Sequence, residues 1–406
     1  MAQTSPQPAP KVKEHLYEVD LMRAFIILGV VCVHVIAFYD LFAVPYSIGN
    51  GANEAALVAL HFTRESFMFI TGLVLFITYY RRPFRAVDFW KKRFKLIVVP
   101  YIVFTLIYIL FTSTYLKSFV WSGPYLAHTL IYSLLVGHQF YLYYIVVSME
   151  LYIVFPAFIG FMRRTERWHW WIFGASFVLE IGLMAFNKYY LQNLNITHLP
   201  PVLYALIRYR DRNVITYQFW FVCGAIVASR YQQIKAFILK HARAILIILA
   251  ASVLVLWGHF LLDRFVFHQT HTMADLVLQP IMIPYSLVVT VAIWYAGMKW
   301  AAARTHRHMR LFSAFVKTAA AASFGVFLIH PLVLHYVEVF VYTTHPSPVL
   351  RAALLPLSIV FVYGLAVVLS SLVGRIPIIS YIVGQKTDPP RWLTGKRKET
   401  PASSTS

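Results

Sequence analysis

The run Val19–Tyr39, VDLMRAFIILGVVCVHVIAFY, is apolar and long enough to cross a bilayer, whose hydrocarbon core takes about 20 helical residues, yet it carries Asp20, Arg23 and His34. At about 100° per residue, the steps from Arg23 to His34 return to within roughly 20° of the start, and Asp20 falls within about 60° of both. The three polar side chains therefore share one stripe of a helix whose other faces can meet lipid. Along the axis, Arg23 and His34 are about 16 Å apart, and Asp20 and His34 about 21 Å. Arg23 belongs at one membrane surface and His34 deep in the opposite half of the span. Ionisable groups inside a span are costly and face a cavity or a pathway, so the stripe should line one.

Similar runs recur near Asp20–Tyr39, Ala55–Tyr79, Leu96–Thr114, Phe140–Phe161, Trp168–Phe186, Val214–Ser229, Arg243–Leu262, Asp275–Gly297, Ala319–Val341 and Leu350–Val373. The expected fold is all-α, a polytopic membrane protein of about ten transmembrane helices. Only 13% of residues are charged and 59% are hydrophobic, against about 25% charged in soluble domains. That excludes a water-soluble class. The 36 Lys+Arg against 16 Asp+Glu do not imply nucleic acid, because the cations cluster in short loops between apolar runs, as the positive-inside rule expects. With ten spans and both termini cytoplasmic, the clusters at Arg81–Lys95, Arg163–Arg167, Arg230–Arg243, Lys299–Lys317 and Arg375–Lys398 all face inward.

The shorter run Pro124–Val136 would break that alternation if it crossed, so it reads as a re-entrant or interfacial helix on the outer side. Residues 1–18 are expected to form a cytoplasmic tail, 19–375 a single transmembrane domain and 376–406 a basic cytoplasmic tail. Met1–Pro10 and the chain after Gln385 read as disordered. Cys32 and Cys223 both lie in apolar runs, so no disulfide framework is implied. The first run lacks a small-residue cleavage site, which argues against a cleavable signal peptide.

Arg23, ten intervening residues and His34 resemble the first-span signature of the integral-membrane acyltransferase-3 family. Further segments echo it in order: RESFMFITGLVLF in the second span with Thr71-Gly72, GHQFYLYYIVVSMELYIVFPAF in the fourth, and SFGVFLIHPLVLH with His330-Pro331 in the ninth. The first loop matches in part, through Lys92, Arg93, Lys95 and Pro100-Tyr101, while Arg82-x-x-Arg85 fits the spacing literally further from the span.

The resemblance implies an O-acyltransferase that moves an acyl group, most often acetyl, from cytoplasmic acyl-CoA to a hydroxyl of a cell-surface or lipid-linked carbohydrate. Acyl-CoA, with acetyl-CoA foremost, is then a donor co-substrate and no bound cofactor is implied. The implied partners are that donor, a glycan or lipid-linked sugar outside the cytoplasm and the lipid bilayer, in a cell membrane such as a bacterial plasma membrane. His34 would be the general base, with Arg23 at the donor and Asp20 paired to Arg23. Arg93, Lys92 and Lys95 either bind the donor's phosphates or act only as topogenic and lipid-binding cations.

Glu65, with His61 four residues earlier on the same face, either orients His34 or makes a structural contact, for example with Arg64. His138 sits at the outer mouth, and Glu150 at mid-depth needs a partner or a proton. His330 either takes part in catalysis or holds the bundle, and Pro331 should kink its helix. Arg208, Arg210 and Arg212 fall outside: either they coat a surface near an anionic acceptor or a boundary is misplaced. His268 and His271 have no third ligand in sequence, so no metal is expected. A transporter of polysaccharide or lipid-linked sugar is the alternative from another class, and a mere scaffold leaves the buried stripe unexplained.

Overall fold

A computed structural model describes residues 15–45, 47–385 and 387. The disorder expected of Met1–Pro10 falls outside these residues, as does most of the chain after Gln385. The described residues form fifteen α-helices and no strand. They are α1 Tyr17–Asp40, α2 Ile48–Leu60, α3 Phe62–Tyr79, α4 Ala86–Ser113, α5 Gly123–Val136, α6 Tyr143–Arg164, α7 His169–Tyr189 and α8 Pro201–Arg208. Then follow α9 Gln218–Ser229, α10 Tyr231–Lys240, α11 Ala242–Leu261, α12 His271–Ala274, α13 Met282–Ala303, α14 Arg310–Thr344 and α15 Pro348–Arg375.

Nine helical stretches among the described residues are long and apolar enough to span a membrane, and the stretch Val214–Ser229 is a shorter apolar tenth. The chain is therefore an all-α polytopic membrane protein. Most of the tenth stretch is enclosed by other helices. Every residue of α9 from Phe219 to Val227 is buried, which fits a helix that is apolar all round. It lies against α3 through Gly72 and Gly224. A Cβ on Gly224 would stand 2.6 Å from the Leu73 nitrogen and 2.8 Å from the Phe69 carbonyl oxygen, so only glycine lets the two backbones approach this closely.

The span expected over Ala55–Tyr79 is interrupted at His61, where α2 ends and α3 begins. At 14 residues α5 is about 21 Å long, short of the roughly 30 Å hydrocarbon core. Ser122 caps its start by accepting from the Tyr125 amide, it ends at Gly137 with φ +62°, and the Tyr101 hydroxyl ties it to α4 through the Ser133 and Leu134 carbonyls at 2.9 Å. Residues 379–383 form a 3₁₀ turn packed on α4, α14 and α15.

The core has two lobes, and α1 stands between them. Val19, Met22 and Ile26 pack into the cluster built on α3, α6, α9 and α13, while Leu21, Ala24, Ile27, Val31 and Val35 pack into that of α4, α14 and α15. Burial on two sides leaves Arg23, Val30 and His34 partly open on one strip and Phe25, Leu28 and Cys32 on another, and the first carries the polar stripe. Exposed Leu246, Ile247, Leu254 and Val255 on α11 and Leu357, Val360 and Phe361 on α15 make the lipid-facing surface. Fully buried Lys188 is held by Asp263 at 2.5 Å and Gln279 at 2.7 Å. A buried ammonium requires such partners.

Candidate active site

Arg23 and His34 open into different cavities. The first, about 450 Å³, lies at the amino-terminal end of α1 and is lined by Asp20, Arg23, Arg82, Tyr231 and Lys235 among others. The second, about 130 Å³, is lined by Ile27, Val30, His34, His61, Arg64, Phe67, Tyr141, Tyr143 and Ser148 among others. From Arg23 to Ile27 is one helical turn, about 6 Å. A third cavity of about 410 Å³ shares Arg64 and Val277 with the second and adds Tyr132, His138, Arg208, Tyr209, Arg210, Asp211 and Arg212.

At the first cavity the expected Asp20–Arg23 ion pair is corrected. Asp20 turns instead to His15, with Nε2 and Oδ2 2.6 Å apart, while its charge still acts on Arg23 at longer range. Arg23 is left without a carboxylate in ion-pair contact among the described residues and lies near enough to Arg93 for the two charges to repel. The Arg93 guanidinium stands 5.8 Å from the ring of Tyr79 and 6.0 Å from that of Tyr152. Lys92 and Lys95 are exposed and do not line this cavity, Lys95 lying over the Tyr381 ring at 5.1 Å. Lys235, bound to Glu18 at 2.7 Å, and Tyr231 complete the wall. Nothing in their spacing pointed to α1, since α10 reaches it only through the tertiary fold.

At the second cavity His34 is held in a stack of rings. Its centroid is 3.6 Å from Tyr141 and 5.3 Å from His330, and Tyr141 and His330 are 5.5 Å apart. His330 is fully buried, with Nδ1 3.0 Å from the Val326 carbonyl. That contact makes Nδ1 the protonated nitrogen and leaves Nε2 as an acceptor without a partner. Glu65 does not join this group. It is buried, but no hydrogen bond or ion pair links it to His34, and its electrostatic neighbours are Arg64, Tyr143, Tyr144 and Tyr217. His61 and Arg64, three residues apart on one face, line the cavity, whereas Glu65 does not. Glu150 also lies apart: its Oε2 accepts from the Val214 amide at 2.8 Å, and this backbone partner answers the need for one at that depth.

His138 lines the third cavity, its ring 4.8 Å from Tyr132. Burial and the nearby Arg212 guanidinium hold its imidazole below the usual histidine range, so it is neutral at physiological pH. His271 meets Glu54 at 3.0 Å and Asp40 at 3.8 Å, with all three ligand atoms within 4.8 Å of one another. Arg264 lies 3.9 Å from the same Glu54. These contacts form an ion-pair network joining α1, α2 and α12.

A bundle of apolar helices around a partly buried histidine, with cations at the opposite end of the same helix, defines an integral membrane protein with a cavity at each end of that helix. The family model for an acyltransferase domain, that of the acyltransferase-3 family, matches residues 16–375. The chain belongs to that family and is a membrane acyltransferase. No curated protein and no solved structure matches it.

Proposed function

We propose that the protein transfers an acyl group, acetyl in the simplest case, from cytoplasmic acyl-CoA to a hydroxyl of a surface or lipid-linked carbohydrate, in a cell membrane such as a bacterial plasma membrane. The observation that carries this reading is the pair of cavities on α1, one holding Arg23 and the other His34, parted by a single helical turn. Arg23, Arg82 and Lys235, with Arg93 beside them, suit the phosphates of CoA. The roughly 16 Å rise from Arg23 to His34 is a distance that an extended pantetheine arm covers. Neutral His34 takes the proton of the acceptor hydroxyl as its oxygen attacks the thioester carbonyl carbon. The carbon–sulfur bond breaks, the ester forms, and CoA leaves as the thiolate and takes up a proton.

Arg64 lines the same cavity and supplies positive charge to the developing oxyanion. Tyr141 and His330 are positioning residues that fix the plane of the imidazole. The test is CoA release from acetyl-CoA and from succinyl-CoA by the full chain in nanodiscs, alongside mass spectrometry of surface glycans from cells with and without the protein. Release together with loss of an acetyl- or succinyl-sized mass supports the reading. Vectorial sugar movement without CoA release would establish a transporter instead.

A further inference from the structure

The arginines that the loop pattern leaves outside converge on one cavity. Arg208, Arg210 and Arg212 line the mouth, Arg64 lines its floor, and Asp211 is the one carboxylate among the described lining residues. Asp211, its Oδ1 3.8 Å from Arg212 Nε, offsets part of that charge and also acts on Arg210 and Arg64, as Glu65 does on Arg64, but four guanidinium groups outnumber the two carboxylates. The other contacts hold the guanidinium groups through neutral partners. Arg212 donates to the Val136 carbonyl and lies over the rings of Tyr143 and Tyr209 at 5.4 and 5.0 Å. Arg210 donates to the Asn187 side chain and the Ile207 carbonyl. Arg64 donates to the Tyr217 hydroxyl at 3.4 Å and lies over the Tyr143 ring at 5.5 Å.

Topogenic cations are ordinarily solvated in loops. These are braced around a hollow, with forks suited to bidentate pairing with carboxylate or phosphate. The Tyr132 and Tyr209 hydroxyls meet at 2.8 Å on the same wall, and their rings offer apolar faces beside polar tips. Charge and aromatic surface together describe a sugar bearing an anion.

We infer that the acceptor is an anionic carbohydrate, its carboxylate or phosphate held by Arg208, Arg210 and Arg212 and its reacting hydroxyl directed past Arg64 toward His34. The inference rests on the acyl-transfer reading, which supplies the role of His34. Because the positive charge comes from arginine, the protein's guanidinium groups keep their charge from about pH 6 to 8, so binding of a carboxylate sugar varies there only through His138, while a phosphate sugar binds more tightly as its second ionisation completes.

The test is calorimetric titration of the full chain, in nanodiscs of phosphatidylcholine, with tetragalacturonate, mannose 6-phosphate and neutral maltotetraose. At least one anionic probe binds about tenfold or more tightly than maltotetraose, as one or two charge-assisted hydrogen bonds require, and added salt weakens it. The two anionic arms tell a carboxylate sugar from a phosphate sugar. Arg208→Gln with Arg212→Gln weakens that probe by about tenfold or more. Arg208→Gln alone, at an exposed position, gives a smaller loss in the same direction should the double variant fold poorly. Equal binding of neutral and anionic probes, or anionic binding indifferent to both variants, overturns the inference. If acetyl-CoA is cleaved with neutral acceptors as readily as with anionic ones, the anionic acceptor falls and the acyl-transfer reading stands. Arginine-dependent anion binding with no CoA release fails the acyl-transfer reading and leaves an anion site.

Discussion

Replacing His34 with Gln separates a base from a packing residue. The ring lies 3.6 Å from Tyr141 and 5.3 Å from His330, and aromatic pairs contribute about 0.5 to 1.5 kcal/mol each beyond their area. His34→Gln should therefore lower stability by about 1 to 3 kcal/mol. Glutamine keeps hydrogen-bonding groups, but its amide accepts no proton near neutrality. Loss of base catalysis typically costs about 10² to 10⁴ in rate, or roughly 3 to 5 kcal/mol. The variant should insert, bind acyl-CoA and turn over at least about a hundredfold more slowly. Tyr141→Phe is the control, since it keeps the stacked ring and loses only a hydroxyl. The assay is CoA release at saturating acetyl-CoA, read beside thermal unfolding in the same nanodiscs. A folded His34→Gln protein within about threefold of parental turnover, against the hundredfold that base catalysis demands, would refute the assignment and move attention to His330.

Three further outcomes follow from the packing. Lys188→Met should cost up to about 3 to 5 kcal/mol by leaving the buried Asp263 carboxylate with only His259, 3.4 Å away, as a partner, and adding Asp263→Leu should recover part of it, read as a double-mutant cycle of unfolding in mixed micelles. Gly224→Ala, which sets a Cβ 2.6 Å from backbone, should cost about 1 to 3 kcal/mol and lower the unfolding midpoint without a change in oligomeric state. Asp275 follows α12, where burial and the neighbouring Glu54 and Asp40 carboxylates push its carboxyl up to about 8. The folded form thus holds a proton that the unfolded chain has released, so stability falls as pH rises from the ordinary carboxylate range to about 8. Asp275→Asn should flatten that slope and raise the melting temperature more at pH 8 than at pH 5.

The spans were legible because bilayer crossing imposes a length and an apolar composition, and each of the ten runs read from the sequence has a helical counterpart. The stripe of Arg23 and His34 was legible for the same reason, since helical geometry converts spacing directly into angle and height. The surroundings of the stripe were not. Tyr141 reaches His34 from the turn before α6 and His330 from α14, and Lys235 reaches the first cavity from α10, juxtapositions that only the folded bundle creates. Of the two readings of Glu65, the structural one fits its place beside Arg64, because successive helical residues point about 100° apart and Arg64 takes the cavity-lining position. Asp20 went to His15, outside the run from which its partner was read.

The single turn of α1 between Arg23 and Ile27 has a consequence for the cell. A continuous polar channel through this bundle would let protons and ions run down their electrochemical gradient. Two cavities that meet α1 on either side of one apolar turn, rather than one continuous polar channel, keep the membrane electrically tight.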